Sequence, residues 1–343
     1  MRVPKGITLR ITLLGWVVPL VTLLGLAVAQ QAKSGGAISG EARGLRHTRL
    51  YEIASSRLFA RDVNRDDARA GLKVMFDVMA RQRGFVLDSS LDILDSVAEI
   101  RERLQSHSAD LILLAATDYL ELENSRLVTP VLTAAWGAQG SALYSYLLLV
   151  KAPSPATAIA GLRGKNMLAF SRGGTDTALA WIDLMLDREK LGRAASFFAS
   201  IKAAGKPQAC ILPLFFGAVD ACVVDEADLN LAQEMNPQLG HLRVLARSRP
   251  LIGSIVAMPT VPFPYAKELI DAMLSLHQDP LGRQLLMIFK SDRLVRIQPG
   301  DLDAARELWR DYYRLPGASP GRPAGFGTAA AESNPADRGK ERK

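Results

Sequence analysis

The residues best suited to chemistry lie between Leu162 and Asp225. A Ser-Arg-Gly-Gly-Thr loop occupies positions 171–175, after a predicted strand at 166–170 and before a predicted helix that begins at Asp176. Such a loop at the carboxyl end of a strand exposes backbone N–H groups, and the following helix N-terminus adds positive potential. The pattern predicts an anion-binding turn. An ordinary strand-to-helix turn, whose glycines only relieve backbone strain, is an equal alternative.

The turn offers both backbone and side-chain donors. We expect its ligand-binding residues to be Ser171, Arg172, Gly173, Gly174, Thr175 and Thr177. The Arg172 guanidinium could bind a phosphate or carboxylate through two parallel hydrogen bonds, or it could simply be solvated. The turn matches neither the Walker pattern nor G-x-G-x-x-G, so nucleotide binding has little support.

Other kinds of chemistry find little support in the sequence. The four histidines, His47, His107, His241 and His277, lack the spacing of metal ligands. We find no nucleophile elbow, no metal cluster and no carboxylate pair that would share one cleft wall. We therefore predict a protein that is not an enzyme and that uses no metal and no cofactor.

Cys210 and Cys222 are the two cysteines of the chain. Cys210 precedes a predicted helix and Cys222 lies in the strand that follows it, so the two could face each other. Two buried free thiols are favoured, because the geometry of a disulfide is narrow.

Charge and the chain ends bear on partners and location. The formal charge of +7 includes +3 before Gln30 and +2 after Leu315, which leaves +2 for the body, so we predict no nucleic-acid partner. Residues 1–29 resemble an export signal, with a basic start, an apolar run and the small-residue exit Ala27-Val28-Ala29. An uncleaved membrane anchor is the alternative. Either alternative places the body outside the cytoplasm, and we expect the periplasm.

The chain has 343 residues, of which 48% are hydrophobic. Strands and helices alternate along its body. Strands are predicted at 50–54, 85–91, 110–115, 144–150, 166–170, 219–225, 242–248 and 254–258. Helices are predicted at 66–83, 96–106, from 176 onward, and at 225–234, 265–277, 281–289 and 302–314. This order indicates an α/β protein with mostly parallel sheets covered by helices.

The order of the elements also predicts two lobes joined by two hinge crossovers, near Leu148 and near Ser248. Lobe 1 is discontinuous, with residues 47–147 and 249–315, and lobe 2 takes residues 148–248. Residues 30–46 are expected to be a flexible lead-in, and residues 316–343 a disordered tail.

From Leu50 to Leu315 the chain resembles the phosphate/phosphite/phosphonate-type substrate-binding proteins of ABC transporters, a branch of the type II periplasmic binding fold. The resemblance rests on the strand 144–150, on Leu-Arg-Gly-Lys at 162–165 followed by a strand and the Gly/Thr turn, and on Phe-Gly-Ala-Val-Asp-Ala at 216–221.

This resemblance implies a hinged protein that closes on a small anion between its lobes. The turn 171–177 would hold the anion, Asp220 would lie at the cleft end of its strand, and Tyr119 or Tyr144 would face it from the first lobe. Capping of the next turn is the slightly favoured alternative for Asp220.

The partners implied are a small anionic ligand, phosphonate- or phosphate-like, and an ABC transporter permease, with the protein itself a monomer. Two alternatives stay open. The protein could sense its ligand for a membrane receptor such as a histidine kinase, or, with less support, it could be an exported enzyme on the same fold.

Overall fold

A computed structural model describes residues 46–59, 64–136, 140–171, 175–261, 263–288 and 291–318. The predicted export signal, the lead-in up to residue 45 and the tail from residue 319 lie outside the described residues.

The described strands are numbered in chain order. They are β1 (Arg46–Ser55), β2 (Phe85–Leu94), β3 (Leu111–Ala115), β4 (Val128–Ala135), β5 (Leu143–Tyr144), β6 (Tyr146–Lys151), β7 (Asn166–Ala169), β8 (Ser200–Ala203), β9 (Ala221–Asp225), β10 (Leu242–Arg247), β11 (Leu251–Ile252), β12 (Ser254–Pro259) and β13 (Arg293–Arg296). β3 and β9 are apolar runs that are buried along their whole length. Such runs are typical of strands covered on both faces.

The α-helices are numbered in the same way. They are α1 (Arg65–Gln82), α2 (Val97–Gln105), α3 (Ala116–Glu123), α4 (Thr175–Arg188), α5 (Ala194–Phe197), α6 (Gln208–Phe216), α7 (Glu226–Met235), α8 (Ala266–Ser275), α9 (Pro280–Ile288) and α10 (Asp303–Tyr312). Local sequence explains where several of them begin. The Asn64 side chain caps α1, and a reciprocal capping box between Ser96 and Glu99 begins α2.

The strands form two large sheets in the described part of the chain. The first has six strands in the order β13-β4-β12-β3-β1-β2, and the second has five in the order β10-β6-β9-β7-β8. Each sheet contains parallel ladders and one antiparallel strand in its interior, β12 in the first and β6 in the second; the edge strand β13 of the first sheet is antiparallel as well. The predicted two-lobed α/β fold is confirmed.

Two chain crossovers connect the sheets and lie side by side. One passes through β5 and the other through β11, and these two short strands pair with each other. The Tyr146 N–H donates to Ser248 Oγ at 2.8 Å, and the Ser248 N–H donates to the Tyr146 carbonyl at 2.9 Å. The first crossover therefore ends at Tyr146, two residues before its predicted position at Leu148.

The last helix, α10, contacts both halves of the chain. It packs against α4 beside the second sheet and against α3 beside the first. Arg306 forms a two-pronged ion pair with Glu123 of α3, and Arg193 donates to the Tyr312 hydroxyl at 2.9 Å. Because the apolar face of α10 joins the largest core cluster, the helix ties the lobes together on one side.

Cys210 and Cys222 form a disulfide, with 5.8 Å between their Cα atoms. The expectation of two free thiols is wrong. Cys210 lies inside α6 rather than before it, and α6 packs on β9, so the two residues come within bridging distance.

Candidate functional site

The carboxyl ends of the strands flank the hinge in both sheets. β6 begins at Tyr146 opposite Asp225, the last residue of β9, and β12 begins at Ser254 opposite Ala115, the last residue of β3. Both crossovers therefore leave from the carboxyl edges. In open α/β sheets, ligands bind in the crevice outside these edges. We call the two surfaces the first edge and the second edge, after their sheets.

A chain of three hydroxyl groups lies at the second edge. Ser171 follows β7 at its carboxyl end, four residues before α4 begins. Its Oγ lies 2.9 Å from the hydroxyl oxygen of Tyr146, which lies 3.2 Å from the hydroxyl oxygen of Tyr144. The hydroxyl chain therefore runs from the hinge strand β5 to the turn that the sequence marked as a binding site.

Aromatic packing holds this chain in place. The Tyr146 ring stacks on Trp181 of α4, with 6.0 Å between ring centroids and 24° between planes. Tyr144 packs edge-on against Tyr146 at 5.2 Å and against Trp136 at 6.4 Å. Tyr146 is fully buried. Its hydroxyl consequently has little freedom to leave the Ser171 side chain.

Burial keeps both tyrosines neutral. It raises the pKa of Tyr144, and the negative charge of Asp225 raises it further. Burial likewise raises the pKa of Tyr146 well above its usual range, with the neighbouring Tyr144 and Asp225 adding to the effect. Both hydroxyls therefore retain their protons near neutral pH and can act as hydrogen-bond donors.

The first edge carries charged side chains that form ion pairs with one another. Asp118, in the first turn of α3, accepts from the Ser55 hydroxyl and from Arg57 Nη1, the latter at 2.6 Å. Glu121 lies 3.5 Å from the same nitrogen. Burial raises the pKa of Asp118, although the bond from Ser55 and the charge of Arg57 oppose the shift. Asp118 is only 1% exposed, so this cluster is an internal ion pair.

The predicted turn residues are partly described. Arg172, Gly173 and Gly174 lie outside the described residues. Thr175 begins α4, and Thr177 is buried in its first turn. Ser171 and Tyr144, predicted independently, come together through Tyr146.

The sequence analysis missed Tyr146 and Asp225. Asp225 ends β9 at the second edge and is 1% exposed. The sequence contains part of the information needed to predict both residues, because each lies at the hinge-side end of a strongly apolar strand. Their approach to Ser171, however, depends on the pairing of β6 with β9 and of β9 with β7.

Tyr119, the other tyrosine predicted for the first lobe, lies on α3. Its hydroxyl lies 3.5 Å from Glu123 Oε1, one turn further along α3, beside the ion pair with Arg306. Burial, and then the charge of Glu123, raise the pKa of Tyr119 to about 12. The hydroxyl thus lies next to α10.

The predicted placement of Asp220 is wrong. Its carboxylate accepts from the Asn166 N–H at 2.9 Å, and Asn166 is the first residue of β7. β7 and β9 are parallel, so Asp220 lies at the amino edge of the sheet, opposite to Ser171. There it caps the start of β7 and lies 3.8 Å from Lys165. The alternative, that Asp220 caps the turn that follows it, does not describe this contact, because Asn166 belongs to an earlier strand.

Two features are absent from the described residues. No group of three or more His, Cys, Asp or Glu side chains there could hold a metal ion. No helix in the same residues is long and apolar enough to span a membrane.

Two lobes, two adjacent antiparallel crossover strands and polar edges that flank the hinge define a protein that binds a small ligand between its lobes. The chain belongs to the family of periplasmic substrate-binding proteins of phosphonate ABC transporters, whose model matches residues 59–302. Members of this family bind small ligands in the periplasm and work with the permease of an ABC transporter.

Solved structures share the fold at low sequence identity. XAC2383 from Xanthomonas citri, bound to chloride ion, is 17% identical, with 78% of this chain and 98% of that chain covered and a TM-score of 0.53. A binding protein component of an ABC phosphonate transporter, PA3383 from Pseudomonas aeruginosa, is 12% identical over 78% and 87%, with a TM-score of 0.51. PhnD1 from Prochlorococcus marinus, in complex with methylphosphonate, is 15% identical over 78% and 99%, with a TM-score of 0.50. A comparison with curated proteins found no matching relative.

Proposed function

We propose that this chain captures a small oxyanion, phosphonate- or phosphate-like, at the second edge and delivers it to an ABC transporter permease. The Ser171 hydroxyl carries the proposal. It stands at the carboxyl end of β7, just before the N-terminus of α4, and the neutral Tyr146 hydroxyl lies 2.9 Å from it. Such a position combines a side-chain donor with the positive end of a 14-residue helix.

The remaining turn residues complete the proposed site. Backbone N–H groups of Gly173 and Gly174 and the hydroxyls of Thr175 and Thr177 would donate to the anion, and Arg172 would add a charge-assisted pair. The methylphosphonate complex of PhnD1, which has the same fold, supports a ligand of this class.

We further propose that the protein is a monomer without enzymatic activity and that it does not bind nucleic acid. The body's net charge of +2 supports the last point. We also propose that the protein is exported and that its signal peptide is cleaved after Ala29. Mass spectrometry of the periplasmic protein tests the cleavage site, and an intact Met1 in the membrane fraction would contradict it.

Isothermal titration with methylphosphonate, inorganic phosphate, methanesulfonate and acetate tests the ligand class. We expect at least one phosphorus oxyanion to bind. Ser171→Ala should weaken its binding about 10- to 150-fold, because a hydrogen bond to a charged group contributes roughly 1.5–3 kcal/mol.

Ser200→Ala is the matched control. The Ser200 hydroxyl donates to the Asn166 side chain at 2.7 Å, at the opposite end of β7 from Ser171. We expect its affinity to equal that of the wild type. The proposal fails if none of the oxyanions binds, or if Ser171→Ala binds them as the wild type does.

A further inference from the structure

The hydroxyl chain at the second edge can be ordered in two directions. Each hydroxyl has one proton to donate, and its oxygen can also accept. In one direction, Ser171 donates to Tyr146, and the Ser171 proton is used within the hydroxyl chain. Alternatively, Tyr146 donates to Ser171, and the Ser171 proton becomes available to a ligand. The oxygen–oxygen distances of 2.9 and 3.2 Å allow both directions.

An oxyanion in the cleft removes this ambiguity. A deprotonated oxygen can only accept, so a Ser171 hydroxyl that bonds to it must donate. The Ser171 oxygen can then accept from Tyr146, whose oxygen in turn can accept from Tyr144. Bonds ordered head to tail in this way polarise one another, and each strengthens the next.

We infer that Tyr146 is a positioning residue, which acts through Ser171 by directing the Ser171 proton toward the bound anion. This inference rests on the proposed function. Trp181 fixes the Tyr146 ring by stacking, and the two backbone bonds with Ser248 fix its main chain at the crossover. The group that orients Ser171 is therefore built into the hinge.

The hydroxyl chain also connects the proposed site to the hinge. Tyr144 belongs to β5, which pairs with β11 of the other crossover. A proton order set by the ligand at Ser171 thus extends to β5, one of the two strands that connect the lobes, and β5 pairs with the other.

A double-mutant cycle with methylphosphonate as the titrated probe tests the inference. Tyr146→Phe removes one hydroxyl and keeps the ring against Trp181. We expect it to weaken binding roughly fivefold, the effect of one ordinary hydrogen bond, and Ser171→Ala to weaken it tenfold or more. The double variant should bind within twofold of Ser171→Ala, because Tyr146 acts only through the Ser171 hydroxyl.

Tyr312→Phe is the control for loss of a buried tyrosine hydroxyl. Tyr312 is also fully buried, and its hydroxyl bonds to Arg193 at 2.9 Å. We expect its affinity to be unchanged, with circular dichroism confirming that each variant is folded. If Tyr146→Phe does not fold, Tyr144→Phe replaces it, with an expected loss of roughly threefold that likewise disappears in the Ser171→Ala background.

The outcomes separate the inference from the proposed function. If the losses from Tyr146→Phe and Ser171→Ala multiply in the double variant, Tyr146 acts independently of Ser171 and the inference fails. It also fails if Ser171→Ala loses affinity and Tyr146→Phe does not, although the proposed function then stands. If no probe, neither methylphosphonate nor phosphate, binds the wild type, both fail.

Discussion

The first and second edges face the same hinge and solve the problem of burying polar groups in opposite ways. At the first edge, the Asp118 carboxylate is matched by the Ser55 hydroxyl and the Arg57 guanidinium, with Glu121 close by. At the second edge, neutral hydroxyls form a chain that reaches Ser171, and the buried Asp225 carboxylate lies near its two tyrosines. The Asp118 carboxylate is paired within the fold, whereas each hydroxyl of the chain can act as donor or as acceptor.

The difference concerns how the buried groups are partnered: the Asp118 charge at the first edge is paired within the fold, whereas the hydroxyls at the second edge belong to the proposed binding site. A buried charge has a high desolvation cost and needs a fixed partner, which leaves it little freedom to exchange that partner for a ligand. A hydroxyl can reverse its role from donor to acceptor with a simple rotation. We therefore expect variants at the two edges to separate stability from affinity.

The largest expected effect concerns a second buried acid in the first lobe, Glu52 on β1. It is 1% exposed, and neither carboxylate oxygen has a hydrogen-bond partner among the described residues. Burial, and then the charge of Asp77, raise the pKa of Glu52 to about 9, although Lys73 opposes the shift. The pKa of Glu52 is higher in the folded protein than in the unfolded chain, so the folded state holds the proton more tightly. This contribution to stability is complete below about pH 4.5 and is lost as pH rises toward 9.

We expect the wild type to lose about 1.4 kcal/mol of unfolding free energy per pH unit from this group between pH 5 and pH 8. Glu52→Met should remove that slope and be the more stable protein at pH 8, because its side chain has no charge to bury. Urea unfolding at both pH values measures the difference. Asp88→Asn, on the neighbouring strand but exposed, should keep the wild-type slope; an unchanged slope in Glu52→Met would show that Glu52 is not its source.

The next effect is in the second lobe, where the disulfide joins α6 to β9. Replacing both Cys210 and Cys222 by Ala should cost roughly 2–3 kcal/mol of unfolding free energy, because the bond closes a short loop of the unfolded chain. Urea unfolding of the oxidised wild type and the double variant measures the loss. We expect affinity for methylphosphonate to be retained, and equal stability of the two proteins would contradict the prediction.

The smallest expected effect separates the edges most directly. Asp118→Asn should cost about 1–2 kcal/mol of unfolding free energy, since Arg57 keeps its position but loses its charged partner. Arg57 is partly solvated, which limits the loss. Oxyanion affinity should stay within twofold of the wild type in isothermal titration. A tenfold loss of affinity would show that the first edge is part of the binding site. It would contradict the separation of a structural first edge from a binding second edge.

Apolar periodicity predicted most of the fold. The face of α1 formed by Leu72, Met75, Phe76 and Met79 is buried as expected, and the predicted strands at 85–91, 110–115 and 166–170 are observed within a few residues. The elements without a predicted counterpart include α3, β4 and β13. α3 has eight residues, and β4 contains Pro130 and two threonines with mixed burial, so neither produces a clear period in the sequence.

The site was only half predictable, for a physical reason. A strand-loop-helix pattern is local, and it located Ser171 correctly at the end of β7. Which residues lie opposite that turn depends on strand order and direction, as Tyr146 and Asp225 illustrate. The error at Asp220 has the same origin, because its sequence neighbourhood indicates a strand but does not say which end of that strand lies at the hinge.

The insertion of β12 between β3 and β4 also has a consequence for the order of folding. The second sheet is built from the continuous stretch Tyr146 to Arg247, so its strands are available together. The centre of the first sheet cannot form until β12 (Ser254–Pro259) joins it, and β12 lies more than a hundred residues after β4 in the sequence. Loop closure over that separation is slow compared with local pairing. The lobe that begins the chain is therefore the lobe that finishes folding last, and until then its central strands expose unpaired edges to other chains.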